Sequence, residues 1–250
     1  MSDNFINDIV IAFTTLYNTN SKSNIIRREL AKKTILTAKE LGYGVIVVDA
    51  GSDKEFLQEL EKKGIKIANR LLHNAGSQKR QAIEEAYKTE KKAIVITEPE
   101  KIDLLTHLVK AAEPVLKDYA DIVIPKRNSL ASYPTAQQYA EPLGNAFFKE
   151  LTNLDLDIWF GPQIWKREHV HYFFEYDGTD IEDWQYFPIL KAIKEGKKIV
   201  SVNIDYTHPK EQTEIEEHDL AFYKKRIEKQ LLPIMNTLIT NWNQLHSDSI

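Results

Sequence analysis

Five short apolar runs constrain this chain more than any other feature. They are Ile9-Val10-Ile11-Ala12-Phe13, Val45-Ile46-Val47-Val48, Ala93-Ile94-Val95-Ile96, Ala120-Asp121-Ile122-Val123-Ile124-Pro125 and Lys198-Ile199-Val200-Ser201-Val202-Asn203-Ile204. Runs of this length, rich in β-branched residues and bounded by turn chemistry, read as buried strands. A weaker strand is expected over 65–68. Between the early strands the apolar spacing becomes helical. Residues 23–41 place Ile26, Leu30, Ile35 and Ala38 on one face before Gly42, and 54–63 end at Gly64. Further helices are expected over 78–88 and 102–116. Strands alternating with helices predict an α/β fold with a mostly parallel sheet and right-handed crossovers.

The second half is less regular. The pattern predicts a loop over 126–135, a helix over 136–151 carrying Pro142, and a short strand and turn over 155–162. A helix opens at Glu182-Asp183-Trp184 and ends at Gly196, and 216–242 reads as one long amphipathic helix, with Pro233 as the place where it can break. No repeat or Gly/Ser-rich spacer divides the chain. One domain over 1–212 is expected, with a helical extension over 213–250 packed on the same unit.

Composition excludes several classes. The formal net charge is −4 and the pI about 6.0, so no basic excess marks a nucleic-acid or membrane surface. There is no cysteine, hence no disulfide, thiol nucleophile or cysteine metal site. No apolar run approaches the ~20 residues of a membrane helix. The first residues carry acids where a signal peptide carries bases. A cytoplasmic protein is expected.

Chemistry concentrates where strands end. The run at 93–96 leads through Thr97 into Glu98-Pro99-Glu100. Proline cannot donate to a sheet ladder, so the strand stops and two carboxylates project from its C-terminal end. In open α/β sheets ligands bind at that edge. A hard divalent cation is held there by carboxylates together with substrate phosphates; the other reading is a solvated acidic loop. Asp49, at the end of a neighbouring strand, can accept from a uracil or guanine N–H, or close an Asx-turn onto Gly51 and Ser52. Lys79 and Arg80, early in a helix, can meet a diphosphate or form a solvated basic face. Arg127 and Tyr133 can hold an anionic or polyhydroxyl acceptor. His208 precedes a proline and is either a metal ligand or a loop histidine. Trp159 and Trp184 read as core or pocket wall.

Taken in order, these segments resemble a known family. Val48-Asp49-Ala50-Gly51-Ser52-Asp53, then Asn74-Ala75-Gly76 ahead of a basic helix, then Glu98-Pro99-Glu100, is similar to the GT-A-fold glycosyltransferases of the family-2 type. Within that fold it is most similar to the soluble mannosylglycerate synthase and glucosyl-3-phosphoglycerate synthase type. The resemblance spans roughly residues 9–210. It implies transfer of a sugar from a UDP- or GDP-linked donor to a hydroxyl of a small soluble acceptor. Thr14, Asp49, Gly76, Lys79, Arg80 and Glu98 would bind the donor, and Arg127, Tyr133, Gly161 and Pro162 the acceptor. Mn²⁺ or Mg²⁺ would be held by Glu98, Glu100 and a late histidine, His208. Glu182 and Asp183 fall at the acidic acceptor-side position and would supply the base of an inverting enzyme; the mannosylglycerate synthase type implies retention. A homodimer is among the expected assemblies.

Two departures stand out. Glu98-x-Glu100 replaces the family's Asp-x-Asp, and Ala50 replaces an acid. They leave open a degenerate protein that binds a sugar nucleotide or a partner without catalysis. A sugar-1-phosphate nucleotidyltransferase is disfavoured, because 13–18 lack the glycine such enzymes carry after the first strand.

Overall fold

A computed structural model describes residues 5–71, 75–175, 185–217 and 219–247. The first half alternates as expected: β1 (Ile9–Thr15), α1 (Lys22–Glu40), β2 (Gly44–Asp49), α2 (Lys54–Lys62), β3 (Ile67–Asn69), α3 (Ala75–Tyr87), β4 (Ala93–Ile96) and α4 (Leu104–Leu116). The second half adds β5 (Ile122–Arg127), α5 (Thr135–Thr152), β6 (Gln163–Lys166), α6 (Phe187–Lys194), β7 (Ile199–Ile204), α7 (Lys210–Glu216), α8 (Leu220–Lys225) and α9 (Leu232–His246).

Among the described residues the strands form a seven-stranded sheet in the order β3-β2-β1-β4-β6-β5-β7. Every pairing is parallel except those of β6, which runs antiparallel to both β4 and β5. The C-terminal ends of β1, β2, β4, β5 and β7 therefore share one edge. Register fixes the acids there: Thr15 lies opposite Asp49, and Ala12 opposite Ile96, just before Glu98.

Because strand side chains alternate faces, β1 feeds two cores. Ile9, Ile11 and Phe13 pack with Ile35, Leu60 and Leu108 on one face. Val10 and Ala12 pack on the other with Ile83, Trp165 and Tyr186, and α9 adds Ile234, Leu238 and Leu245 there. Burial on both faces is what lets these strands read as unbroken apolar runs.

Three expectations need correcting. The segment expected as a strand within 155–162 is a 3₁₀ turn, Ile158–Phe160, and the strand is the following β6. Arg127 is not in a loop; it ends β5. The C-terminal helix, expected to run through 216–242 or to break at Pro233, is divided earlier, into α7, α8, a π-helical stretch over Arg226–Leu231, and α9, with Pro233 in the first turn of α9. Proline is tolerated there because that N–H has no intrahelical partner. π-Helical turns commonly sit at functional sites, and this one places Arg226 over the sheet edge.

Candidate functional site

A cavity of about 520 Å³ lies at the C-terminal edge of the sheet. Its floor is the segment after β4, with Glu98, Glu100 and Lys101. One wall is α5, with Gln137 and Glu141, beside Arg127, Tyr133, Trp159 and Phe160. The β7–α7 loop contributes Tyr206 and His208, α1 contributes Arg27, and the C-terminal segment contributes Glu216, Asp219 and Arg226.

The β4 floor combines an ionised acid with an unpaired oxygen. Burial pushes the Glu98 carboxyl up, but Lys101 and Lys79 more than offset it and hold it below the ordinary range. Lys101 Nζ stands 3.7 Å from Glu98 Oε2 and 4.7 Å from the centre of the Phe160 ring. Burial lowers the Lys101 pKa, against the pull of Glu98. Glu98 Oε2 is buried without a hydrogen-bond partner. Gly161 makes room for this carboxylate: a Cβ there would come within 2.9 Å of both Glu98 oxygens, and its φ of +99° also favours glycine. Glu100 turns toward α1, where its charge acts on Tyr17 and Arg27; burial and then Glu100 raise the Tyr17 pKa well above its usual value.

His208 is buried, at 6% exposure, and packs at a tilt against the Tyr133 ring, 4.3 Å between centres. It is therefore part of the packed wall rather than a detachable loop end. Thr213 Oγ1 donates to the Ser132 carbonyl at 2.7 Å and lies 2.8 Å from His208 Nδ1. A hydroxyl has one proton, so the hydrogen-bond pattern assigns the imidazole proton to Nδ1 and leaves Nε2 with its lone pair. Burial, then Lys101 and three arginines, push the His208 pKa down to about 3. At neutral pH it is uncharged, the form that ligates metals.

Arg127 is the centre of a buried ionic network. Its Nε and one terminal nitrogen donate to the two Asp157 oxygens at 2.8 Å each, and its backbone N–H donates to Asp157 at 3.1 Å. The other terminal nitrogen lies 2.7 Å from Glu141, which also pairs with Arg226 at 3.2 Å. Tyr133 and Phe160 cover the guanidinium, at 4.7 and 4.6 Å. Burial opposes this charge, but Asp157 and Glu141 raise the Arg127 pKa beyond its already high value.

The expected site residues thus divide. Glu98, Glu100, Arg127, Tyr133 and His208 line one cavity, with Gly161 against Glu98. Asp49 shares their sheet edge but not the cavity lining. Its oxygens accept from Thr15 Oγ1 (2.7 Å), Ser52 Oγ (2.5 Å), Gly51 N (2.7 Å) and Ser52 N (2.9 Å), the Asx-turn alternative. Thr14 and Arg80 are half-buried, Gly76 and Pro162 are buried, and none of them lines the cavity. The charge of Lys79 acts on Glu98, and Lys79 is not among the cavity-lining residues. Glu182 and Asp183, with Asn74 and Trp184, lie outside the described residues.

Arg27, Lys101, Glu141, Tyr206 and Arg226 are cavity residues that sequence reasoning did not single out. Lys101 was the most accessible of these, directly following Glu100. Glu141 and Gln137 sit one helical turn apart on α5, a spacing visible only once their helix face is known to be buried.

Among the described residues no three Asp, Glu or His side chains converge as a metal cluster. The donors nevertheless suit a hard divalent ion. Glu98 offers a charged oxygen without a hydrogen bond, 3.7 Å from Lys101, and His208 a neutral imidazole nitrogen, and phosphate oxygens commonly complete such sites.

The fold has solved counterparts. Three are crystal structures of glucosyl-3-phosphoglycerate synthase from Mycobacterium tuberculosis. The first superposes with a TM-score of 0.57 at 12% identity, covering 95% of this chain and 80% of that one. A complex with Mn²⁺, UDP and phosphoglyceric acid gives 0.58 at 14% identity, covering 95% and 78%. A complex with Mn²⁺, UDP-glucose and glycerol 3-phosphate gives 0.56 at 12%, covering 95% and 79%. The chain has the GT-A fold. No protein-family model matches the sequence, and no curated protein does. In this GT-A sheet the cavity occupies the C-terminal edge, and no helix among the described residues is long and apolar enough to cross a membrane.

Proposed function

We propose that this GT-A protein is a glycosyltransferase that moves a hexose from a nucleotide-diphosphate sugar, UDP- or GDP-linked, to a hydroxyl of a small acceptor. The observation that carries the reading is the end of β4. There an ionised Glu98, one buried oxygen of which makes no hydrogen bond, faces the same cavity as the neutral imidazole of His208. Solved structures sharing the fold bind UDP, Mn²⁺ or Mg²⁺, and small acceptors, which supports the same class of donor here.

Glu98 and His208 would hold a divalent cation, with Glu100 nearby on the same loop. The bound ion would supply Lewis-acid stabilisation of the charge developing on the diphosphate leaving group. Lys101 stands beside Glu98 and adds a fixed positive charge at the same end of the cavity. Arg127 does not reach for substrate. Locked by Asp157 and Glu141, it holds Tyr133 and Phe160 in place as cavity walls. Gly161 keeps the Glu98 carboxylate uncrowded.

Nucleotide release from a panel of UDP- and GDP-sugars, with Mn²⁺ or with EDTA, tests this reading. Release that requires the cation supports it. Binding of sugar nucleotides with no turnover under any condition would favour a non-catalytic binding protein, the reading that the Glu-Pro-Glu departure supports.

A further inference from the structure

The cavity contains several cations, and among the described residues each of the following is held in an ion pair. Arg127 is paired with Asp157 and Glu141, Arg226 with Glu141, Lys101 with Glu98, and Arg27 with Glu216. Glu141 and Arg127 are almost fully buried, at 2% and 7% exposure. Away from the Glu98 end, where the donor diphosphate and its cation belong, a phosphate or carboxylate of the acceptor seated against Arg127 would have to separate the buried Arg127–Glu141 pair and leave a carboxylate unmatched, which is strongly unfavourable.

The charged cavity atoms that make no hydrogen bond, on Arg27, Glu98, Arg127, Glu141 and Arg226, all belong to side chains of these ion pairs; the cavity's other unpartnered buried atoms are neutral. Tyr133 and Tyr206 are 2% and 4% exposed, and neither hydroxyl makes a hydrogen bond of ordinary geometry; the same holds for the Gln137 side-chain oxygen, in a residue 4% exposed. All three side chains line the cavity, and the two tyrosine rings lie 6.1 Å apart between centres. Buried polar atoms without partners are uncommon and call for water or a ligand. Two hydroxyls that can donate or accept, beside an amide oxygen that accepts, match a run of alcohol groups.

Resting on the transferase reading above, we infer that the acceptor is an uncharged polyhydroxyl compound, a polyol or a sugar, and not a phosphorylated or carboxylated one. Tyr133, Tyr206 and Gln137 hydrogen-bond its hydroxyls, and Glu141 excludes anions by occupying Arg127 and Arg226.

The test uses the full chain with Mn²⁺ and whichever UDP- or GDP-sugar gives slow nucleotide release to water, which establishes the donor chemistry by itself. Matched acceptors are then compared: glycerol with glycerol 3-phosphate, and glucose with glucose 6-phosphate. The neutral member of a pair should accelerate release at least about tenfold more than its phosphorylated partner. Tyr133→Phe and Tyr206→Phe should each raise the KM of the neutral acceptor roughly 2- to 13-fold, the range of one neutral hydrogen bond, a larger factor than either changes its own release to water. Glu141→Gln, which frees Arg226, should narrow the preference by admitting the phosphorylated member. Preference for the phosphorylated member in the parent protein overturns the inference, as does an unchanged neutral-acceptor KM in both tyrosine variants. Absence of nucleotide release with every donor and acceptor removes the transferase reading, and this inference with it.

Discussion

Asp49 and Glu98 occupy equivalent places, each at or just beyond the C-terminal end of a parallel strand, on one edge of one sheet. Their surroundings are opposite. Asp49 accepts four hydrogen bonds, all from Thr15 and its own turn. Glu98 has a buried oxygen with no hydrogen bond, only the Lys101 ammonium at 3.7 Å. The cause lies in the next residues. After Asp49 come Gly51 and Ser52, which supply two backbone N–H groups and a hydroxyl within three positions. After Glu98 comes Pro99, which has no N–H to give. A carboxylate whose neighbours can satisfy it holds a turn together, and one whose neighbours cannot remains available for a ligand.

The contrast can be tested from both sides. Removing the open carboxylate should act on chemistry. Glu98→Gln is expected to lower nucleotide-sugar turnover by roughly 10²- to 10³-fold, the scale of a lost electrostatic group at a reacting centre. Its urea midpoint should stay close to that of the parent. A large loss of stability with turnover retained would reverse the assignment.

Removing the saturated one should act on folding. Asp49→Ala strands several buried donors and is expected to cost about 3 kcal/mol, measured by urea unfolding. Turnover per folded molecule should change less than that of the Glu98 variant. Ser52→Ala sharpens the point at a smaller scale, with about 1 kcal/mol expected.

The His208 wall gives a pH signature. Its folded pKa, about 3, lies below the ordinary 6.5. The unfolded chain therefore binds the extra proton between those values, and stability falls as pH drops below 6.5. By pH 5 the loss should approach about 2 kcal/mol, at 1.36 kcal/mol per unit. His208→Gln should flatten the stability profile between pH 7 and 5. An equally steep profile in the variant would place the titrating group elsewhere.

Much of this was readable in the sequence, and the failures have physical causes. β1 and β4 announce themselves because burial on both faces removes polar interruptions, while β7, at the sheet edge, shows by its alternation of Ile199, Ser201 and Asn203 with Val200, Val202 and Ile204 and its β-branched residues. β6 does not: Gln163-Ile164-Trp165-Lys166 has neither alternation nor an apolar run, and its place between β4 and β5 depends on antiparallel pairing from far along the chain. Arg127 looked like a loop residue because a charge ends an apolar run. Its neutralising partners Asp157 and Glu141 are 30 and 14 positions away. The Glu98 loop and His208 were legible because strand-end chemistry is local. The cavity's ionic pairing was not, because Arg27, Glu216 and Arg226 meet it only after the C-terminal segment folds over the sheet edge.

The central claim is that Glu98, and not Asp49, is the carboxylate that recruits a cation and diphosphate. Calorimetric titration of UDP and of GDP, each with Mn²⁺ or with EDTA, into the parent, Glu98→Gln and Asp49→Asn tests it most directly. The account predicts cation-dependent binding in the parent, its loss in Glu98→Gln, and its retention in whatever fraction of Asp49→Asn is folded. Equal affinity with EDTA, or binding lost in Asp49→Asn and kept in Glu98→Gln, would contradict it.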